Sequence, residues 1–424
     1  MTGSRFFALW NSLSAATALL IVVFALGACS NDESGPNLEP LTPELETVMQ
    51  QVADLRGLPP APDIRTATVP RSEAAETIED LLTDEDRKTF AELTTLYRLL
   101  GHLQPDQDFL SVYREFVDGA VAGFYAPTNN AFYIVSSARD VDFSAFDRQQ
   151  KATTAHEFVH ALQDAEFDIQ ALSERTRGDL DWSLALTAVI EGDAVLHEGF
   201  WSKEFALAAG AGRSLLFAHP LFATVPESIE REFRFPYSAG AEWVATVRAQ
   251  RGIEAINGIL RGRRLTTAEI LHPELYESGW QPAEVSLPDI SSGLGDGWQR
   301  ESNGALGEFQ LRNFLQLELG ALAAVSAATG WSGDHYDAYT NGKDSVATLR
   351  LVFASAQEAD EFRASVADWN GAAGAKVLEG NSGVAVLEGG RTIISKGLTE
   401  TDVLLVFGSN RQVAERALAL IAGG

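Results

Sequence analysis

The sequence is poor in cysteine and in cationic residues. Cys29 is the single cysteine among 424 residues, so neither an intramolecular disulfide nor a cysteine cluster for a metal is possible. Lysine and arginine total 32 against 59 aspartates and glutamates, which gives a formal net charge of -27 at pH 7. A surface of that sign repels phosphate backbones, so nucleic acid is not an expected partner.

The N-terminus combines a positive residue with a short apolar stretch. Arg5 precedes an apolar run from Ala15 to Leu26, which is too short to span a bilayer comfortably and has the layout of a secretory signal. The run ends in Leu-Gly-Ala before Cys29. This ending resembles the bacterial lipoprotein signal, in which the cysteine receives a lipid and becomes the first mature residue.

That resemblance implies an exported protein anchored in a membrane through a lipid on Cys29. Residues 1–28 would be the signal peptide, and residues 29–43, which are polar and rich in proline and acids, a flexible tether. Ser30, rather than aspartate, follows the cysteine, which by the same resemblance favours the outer membrane or cell envelope, facing the periplasm or the exterior.

The remaining chain has the mixed periodicity of an α+β protein. Residues 44–115 predict an N-terminal helical region, and residues 116–327 a mostly helical domain. Within the latter, apolar runs at 120–125 and 131–135 flank a Pro-Thr-Asn-Asn turn and predict a β-hairpin. Residues 328–424 alternate strand and amphipathic-helix patterns, which predicts a C-terminal α+β unit.

The central motif is His-Glu-Phe-Val-His, within a predicted helix over 148–167. His156 and His160 are four residues apart, so their imidazoles lie on one helix face and can bind one zinc ion. Glu157 lies about 100° around the helix, where it can reach a water on the open side of the metal. This predicts hydrolysis by a metal-bound water, with Glu157 as general base and then general acid.

A catalytic zinc needs a third protein ligand, and Glu191 is the best candidate. It lies in an apolar helical stretch, where a lone charge is costly unless it is paired or bound to metal. Gly192 costs about 1 kcal/mol of helix propensity, which a close approach of two helices would justify. Glu191 could instead face solvent, and Asp193, His197 and Glu198 are competing ligands.

This HExxH motif with a downstream helical glutamate resembles the gluzincin clan of zinc metallopeptidases. The likeness covers roughly residues 95–345 and is closest to uncharacterised bacterial secreted or lipoprotein zinc-peptidase homologues. The segments that carry it are GFYAPTNNAFYIV, HEFVHALQDAEFD, AVIEGDA, FPYSAGAEWV, LHPELY and LGEFQLR. The resemblance implies a zincin-like catalytic domain, a Zn²⁺ cofactor and a protein or peptide substrate. It further implies that peptide binds along a sheet edge at Ala131–Val135.

Supporting residues are less well defined by the sequence. Val195, not aspartate, stands four residues after Glu191, so the usual partner of the ligands in the clan is missing. Asp164 and Asp193 are candidates to accept a hydrogen bond from a metal-bound histidine. Tyr237 and His272 are weaker candidates to stabilise an oxyanion, because a structural role is favoured for each.

Three functions remain open at this point. The first is an active zinc-dependent peptidase. The second is an inactive binding or scaffold lipoprotein that keeps a zincin fold, although such a protein has no need of Glu157. The third is a zinc amidase that acts on cell-wall material, because activation of water by zinc is common to both reactions.

Overall fold

The computed structural model describes residues 36–136, 143, 146–205, 225–378 and 381–422. Helices and two sheets alternate along the chain, so the predicted α+β class is confirmed. Cys29 and the signal segment lie outside these residues, and lipid attachment stays a prediction. Within the described ranges, no helix has both the length and the apolar character needed to cross a membrane.

The helices, numbered in chain order, are α1 Pro43–Arg56, α2 Ala74–Asp80, α3 Asp84–Leu100, α4 Phe109–Ala120, α5 Arg148–Phe167, α6 Ile169–Thr176, α7 Leu180–Phe205, α8 Glu227–Phe235, α9 Ala241–Arg251, α10 Ile253–Leu260, α11 Thr267–Leu271, α12 Pro273–Ser278, α13 Ser291–Leu294, α14 Gly307–Leu315, α15 Ala321–Ala328, α16 Ala356–Ala372 and α17 Arg411–Ala422. A π-helical turn, Pro236–Gly240, joins α8 to α9. The strands are β1 Glu39–Pro40, β2 Arg65–Pro70, β3 Gly123–Ala126, β4 Ala131–Ser136, β5 Gln299–Gly304, β6 Trp331–Thr340, β7 Ser345–Phe353, β8 Lys376–Leu378, β9 Asn381–Val386, β10 Thr392–Gly397 and β11 Asp402–Gly408.

The first sheet has four strands in the order β1-β2-β4-β3. The predicted hairpin is confirmed, because β3 and β4 pair antiparallel across a loop that Asn130 closes with a φ of 50°. The predicted substrate edge at Ala131–Val135 is wrong: β4 is internal, since β2 pairs with it in parallel on its other side. The region predicted as helical thus also supplies β2, and β3 is the terminal strand.

Three helices form the layer that carries the HExxH motif. α5 packs against α1 and α7, and the interface contains buried apolar side chains from all three, including Val52, Phe158 and Trp201. The opposite side of α7 packs against α9 and α10 through Val189, Trp243 and related residues. Because α7 is apolar around its circumference, it is buried between two layers, as such helices are.

The second sheet has seven antiparallel strands in the order β5-β6-β7-β11-β10-β9-β8. Alternate residues of β11 face opposite sides, as the two-residue period of a strand requires. Leu405 faces the core that includes α16, whereas Leu404 faces α17. The sheet begins with β5 at Gln299, which lies ahead of the predicted start of the C-terminal unit at residue 328.

Candidate metal centre

Three predicted side chains meet between α5 and α7. α5 begins with a capping box, in which the Asp147 carboxylate accepts from the Gln150 N–H at 2.8 Å, and it places His156 and His160 on its buried face. Both imidazoles are fully buried, and Glu191 of α7 is 1% exposed. The ligand atoms of these three residues lie within 4.8 Å of one another, so the group can bind a metal ion.

Glu191 lies closest to both imidazoles through a single oxygen. Its Oε2 is 3.2 Å from His156 Nε2 and 3.4 Å from His160 Nε2. The His160 Nε2 atom has no hydrogen-bond partner among the described residues. Both imidazoles therefore direct Nε2, the atom that would bind metal, towards the same carboxylate.

Gly192 permits a close approach, as predicted, and its partner is the π-helical turn. A Cβ on Gly192 would lie 2.5 Å from the Gly240 carbonyl oxygen, and a Cβ on Gly240 would meet the Ala188 carbonyl. These contacts let the turn press on α7 beside Glu191. Tyr237 in the turn lies over the His156 ring, with centroids 6.4 Å apart and planes 22° apart.

The other nitrogen of each imidazole is held by an acceptor. His156 Nδ1 is 3.2 Å from Glu198 Oε2, and His160 Nδ1 is 2.9 Å from Gln163 Oε1. The Gln163 amide in turn donates to Asp193 Oδ2 at 3.0 Å. Because Nδ1 donates in this arrangement, Nε2 is the nitrogen left to bind a metal or a second proton.

The sequence identified these partners incompletely. Asp164 does not contact His160; it accepts instead from the Tyr125 hydroxyl at 3.1 Å. Asp193 acts on His160 through the intervening Gln163. The sequence does indicate that Glu198 lies near the centre, because it follows Glu191 by seven residues and so lies two turns further along the same helix face. Its alternative role as a ligand is not seen, since it contacts His156 at Nδ1.

A buried ion pair links these hydrogen-bond acceptors to the neighbouring helices. The Arg56 Nε atom donates to Asp193 Oδ2 at 2.7 Å, and both side chains are fully buried. Arg56 also donates to Asn257 at 2.6 Å, and His197 lies 3.1 Å from Asp193. Burial alone would raise the pKa of Asp193, but His197 and Arg56 outweigh it and hold that pKa below its usual value. The network joins α1, α7 and α10 behind His160.

Glu157 stands beside the ligand group without belonging to it. Its Oε2 accepts from the Tyr125 N–H of β3 at 2.8 Å, and its Oε1 is buried without a partner in the described part of the chain. Burial raises the pKa of Glu157 well above its usual value, and the negative charge of Glu191 adds to the effect. A buried carboxyl group with a raised pKa can both take up and release a proton.

The charges at the centre fit a bound cation. Burial disfavours charge on His156, yet Glu191 and Glu198 outweigh it and raise the pKa of His156 to about 10. Burial likewise opposes charge on Glu191, but His160 and His156 lower its pKa to about 2. These carboxylates therefore demand positive charge, which protons or a metal ion can supply. Two imidazoles and one carboxylate suit zinc and several other transition metals.

The two predicted oxyanion donors have different surroundings. Burial raises the pKa of Tyr237 well above its usual value, and the negative charge of Glu191 adds to the effect. The Tyr237 hydroxyl faces the Glu191 carboxylate, so Tyr237 lies at the centre. His272 instead pairs with Glu308 and Arg312, each at 3.0 Å. Hydrogen bonding to Glu308 raises the pKa of His272. Within the described residues, these two partners give His272 a structural role.

One comparison with known proteins gives a match. Residues 297–417 match the model of a family described as a domain of unknown function, DUF8575. No curated protein and no solved structure matches the chain. The matched region holds the seven-stranded sheet, α14, α15, α16 and the first part of α17. It excludes all the residues of the His-His-Glu group, so the match assigns no chemistry to the centre.

Proposed function

We propose that the protein is a zinc-dependent peptidase of the gluzincin type. The observation that carries the proposal is the buried convergence of His156, His160 and Glu191 next to the unpaired Oε1 atom of Glu157. Three protein ligands leave one tetrahedral position free, which distinguishes catalytic from structural zinc sites. When bound, zinc supplies Lewis acidity, which polarises a carbonyl group and lowers the pKa of water.

Glu157 has the geometry of the proton carrier. The Tyr125 N–H fixes Oε2 at 2.8 Å, so Oε1 remains to accept a proton from the attacking water. The same atom then delivers that proton to the nitrogen of the departing amine. Burial favours the protonated form of Glu157, which suits the interval between the two steps, when the group must hold the proton. A scaffold protein would bear the cost of burying this carboxyl group without any use for it.

One further residue is suited to the reacting peptide group. Tyr237 lies over His156, where its hydroxyl can donate to a developing oxyanion.

The test compares Glu157→Gln with Glu166→Gln, an exposed position on the same helix. We expect both variants to retain zinc, because neither residue is a ligand. Hydrolysis of casein should fall by roughly 10²–10⁴-fold in Glu157→Gln, the usual contribution of general acid–base catalysis, and remain near the wild-type rate in Glu166→Gln. Zinc content and initial rates are measured on the same preparations.

Other results would contradict the proposal in distinct ways. Undiminished hydrolysis by Glu157→Gln removes the assigned proton carrier. A wild-type protein that cleaves peptidoglycan but not casein is the amidase. One that holds zinc and cleaves neither substrate is a binding protein.

A further inference from the structure

A cleft of about 320 Å³ leads to the centre from the side of α7 that faces α3. Its inner end is formed by Glu191 and Tyr237. Along α7 its wall is formed by Leu180, Leu184 and Thr187, which repeat at the three- and four-residue spacing of one helix face. The cleft therefore follows α7 lengthwise and ends at a metal ligand.

The length of the cleft follows from the helix. Leu180 and Glu191 are eleven residues apart, and a rise of 1.5 Å per residue makes the wall about 16 Å long. The opposite wall comes from α3, where Phe90 and Leu93 face the cleft. An extended peptide advances about 3.3 Å per residue, so the cleft accommodates about five residues of extended chain.

The walls offer apolar surface, and two of their polar side chains are already engaged. Apolar atoms make up most of the lining, and Leu93, Leu184 and Phe233 contribute to it. The Thr187 hydroxyl donates to the Ser183 carbonyl at 2.9 Å. Arg177 is bound to Asp86 at 3.1 Å and to Thr89 at 2.8 Å. An acidic side chain in the cleft would lose water and meet the carboxyl groups of Glu174 and Glu232, whereas an apolar one gains from burial.

We propose that this cleft selects the substrate: it binds an apolar stretch of about five residues that leads to the scissile peptide bond. The inference rests on the proposed peptidase function and adds to it a substrate class, apolar peptide segments, with α3 and α7 as the selecting elements. The same walls would disfavour acidic peptide segments.

The test uses a substitution that narrows the cleft midway along α7. Ser183 lines it, eight residues before Glu191, whereas Ser202 lies on the same helix beyond Glu191 and outside the cleft. Ser183→Trp and Ser202→Trp are therefore matched. Binding is measured in zinc-loaded Glu157→Gln protein by the fluorescence of dansylated Ala-Leu-Ala-Leu-Ala, with dansylated Ala-Glu-Ala-Glu-Ala and dansyl-undecanoate as comparisons.

We expect Ser183→Trp to weaken binding of the leucine peptide at least tenfold and Ser202→Trp to leave it unchanged. The glutamate peptide should bind at least tenfold more weakly than the leucine peptide. Leu93→Trp, on the opposite wall, replaces Ser183→Trp if that variant does not fold. Equal binding of both peptides, or tight binding of dansyl-undecanoate alone, overturns the proposal.

The outcome is separable from that of the proposed function. Binding that depends on the cleft in a protein without hydrolytic activity retains the binding site and removes the peptidase. Conversely, hydrolysis of leucine-rich peptides with an unchanged KM in Ser183→Trp retains the peptidase and removes the cleft as its selecting element.

Discussion

At the scale of single residues, the centre is a problem of charge balance. Glu191 and Glu198 contact the buried imidazole of His156 from two sides, and Glu157, whose Oε1 has no partner among the described residues, lies beside them. Buried carboxylates are costly unless a cation or a proton compensates them. The raised pKa of His156 reflects this need for a compensating positive charge. We propose that zinc supplies the compensating charge.

A histidine away from the centre gives a prediction on pH. His102 is 3% exposed, and neither ring nitrogen has a hydrogen-bond partner within the described ranges. Burial lowers its pKa to about 3, helped by Arg231 and Arg391. An unfolded histidine titrates near 6.5. The unfolded chain therefore takes up a proton first, and stability falls as the pH drops from 6.5 towards 3.

The predicted loss is about 1.4 kcal/mol per pH unit in that window and none above it. Urea unfolding at pH 6.5 and pH 5 checks this against His102→Leu, which has no proton to take up. The wild type should lose about 2 kcal/mol more than the variant between the two values. Equal losses would show that His102 is protonated in the folded chain.

The residues of the centre were predictable to the extent that they depend on one helix. The positions of His156, Glu157 and His160 follow from the helical period. The choice of Glu191 needed only the cost of a carboxylate in an apolar helix. The acceptors Glu198 and Gln163 were missed because the relative rotation of α5 and α7, and the side-chain rotamers, decide which group reaches each Nδ1 atom.

At the scale of elements, the contact between α7 and the π-helical turn sets the position of Glu191. Gly192→Ala places a methyl group 2.5 Å from the Gly240 carbonyl oxygen, against the backbone of Gly240 and Ala241. We expect this change to lower the free energy of unfolding by about 1–3 kcal/mol, the usual cost of overpacking. It should also weaken zinc binding, because the backbone shift occurs next to a ligand.

Gly199→Ala is the matched control on the same helix. Apart from the backbone of α7 itself, no atom of the described residues lies within 4 Å of the added methyl group, so its greater helix propensity should raise stability by up to about 1 kcal/mol. Thermal or urea unfolding of both variants gives the comparison. Destabilisation of equal size in the two would contradict the close-packing account.

Element type was easier to predict than element pairing. The bounds of α5 agree with the predicted helix over 148–167, because its cap and period are local features. The prediction that β4 forms an edge of the sheet was wrong, because β2, more than 60 residues earlier in the chain, pairs with it. No local pattern encodes that pairing, and proline residues around β2 conceal its alternation. β5 joined the second sheet for the same long-range reason.

At the scale of the whole molecule, one hydrophobic core joins the two halves. It contains Leu96 and Phe116 of α3 and α4, Phe314 of α14, and Leu349 and Trp369 of the C-terminal region. Arg391 also donates to the Leu99 carbonyl at 3.2 Å. Removal of the C-terminal sheet would expose this core to water.

We therefore predict that a chain ending at residue 296 does not fold cooperatively. It would leave apolar side chains of α3 and α4 exposed, and each such buried side chain contributes about 1.5–3 kcal/mol. Calorimetry should show no cooperative transition in the truncated chain and a single one in the intact chain. A truncated protein that melts cooperatively and binds zinc would show that residues before 297 fold alone.

The most direct test of the central claim is the zinc content of Glu191→Gln, compared with Glu204→Gln at an exposed position on the same helix. The wild type and Glu204→Gln should each contain about one zinc per chain after dialysis. Glu191→Gln should retain well under half of that amount. If Glu191→Gln keeps a full equivalent of zinc, Glu191 is not a ligand and the account of the centre is wrong.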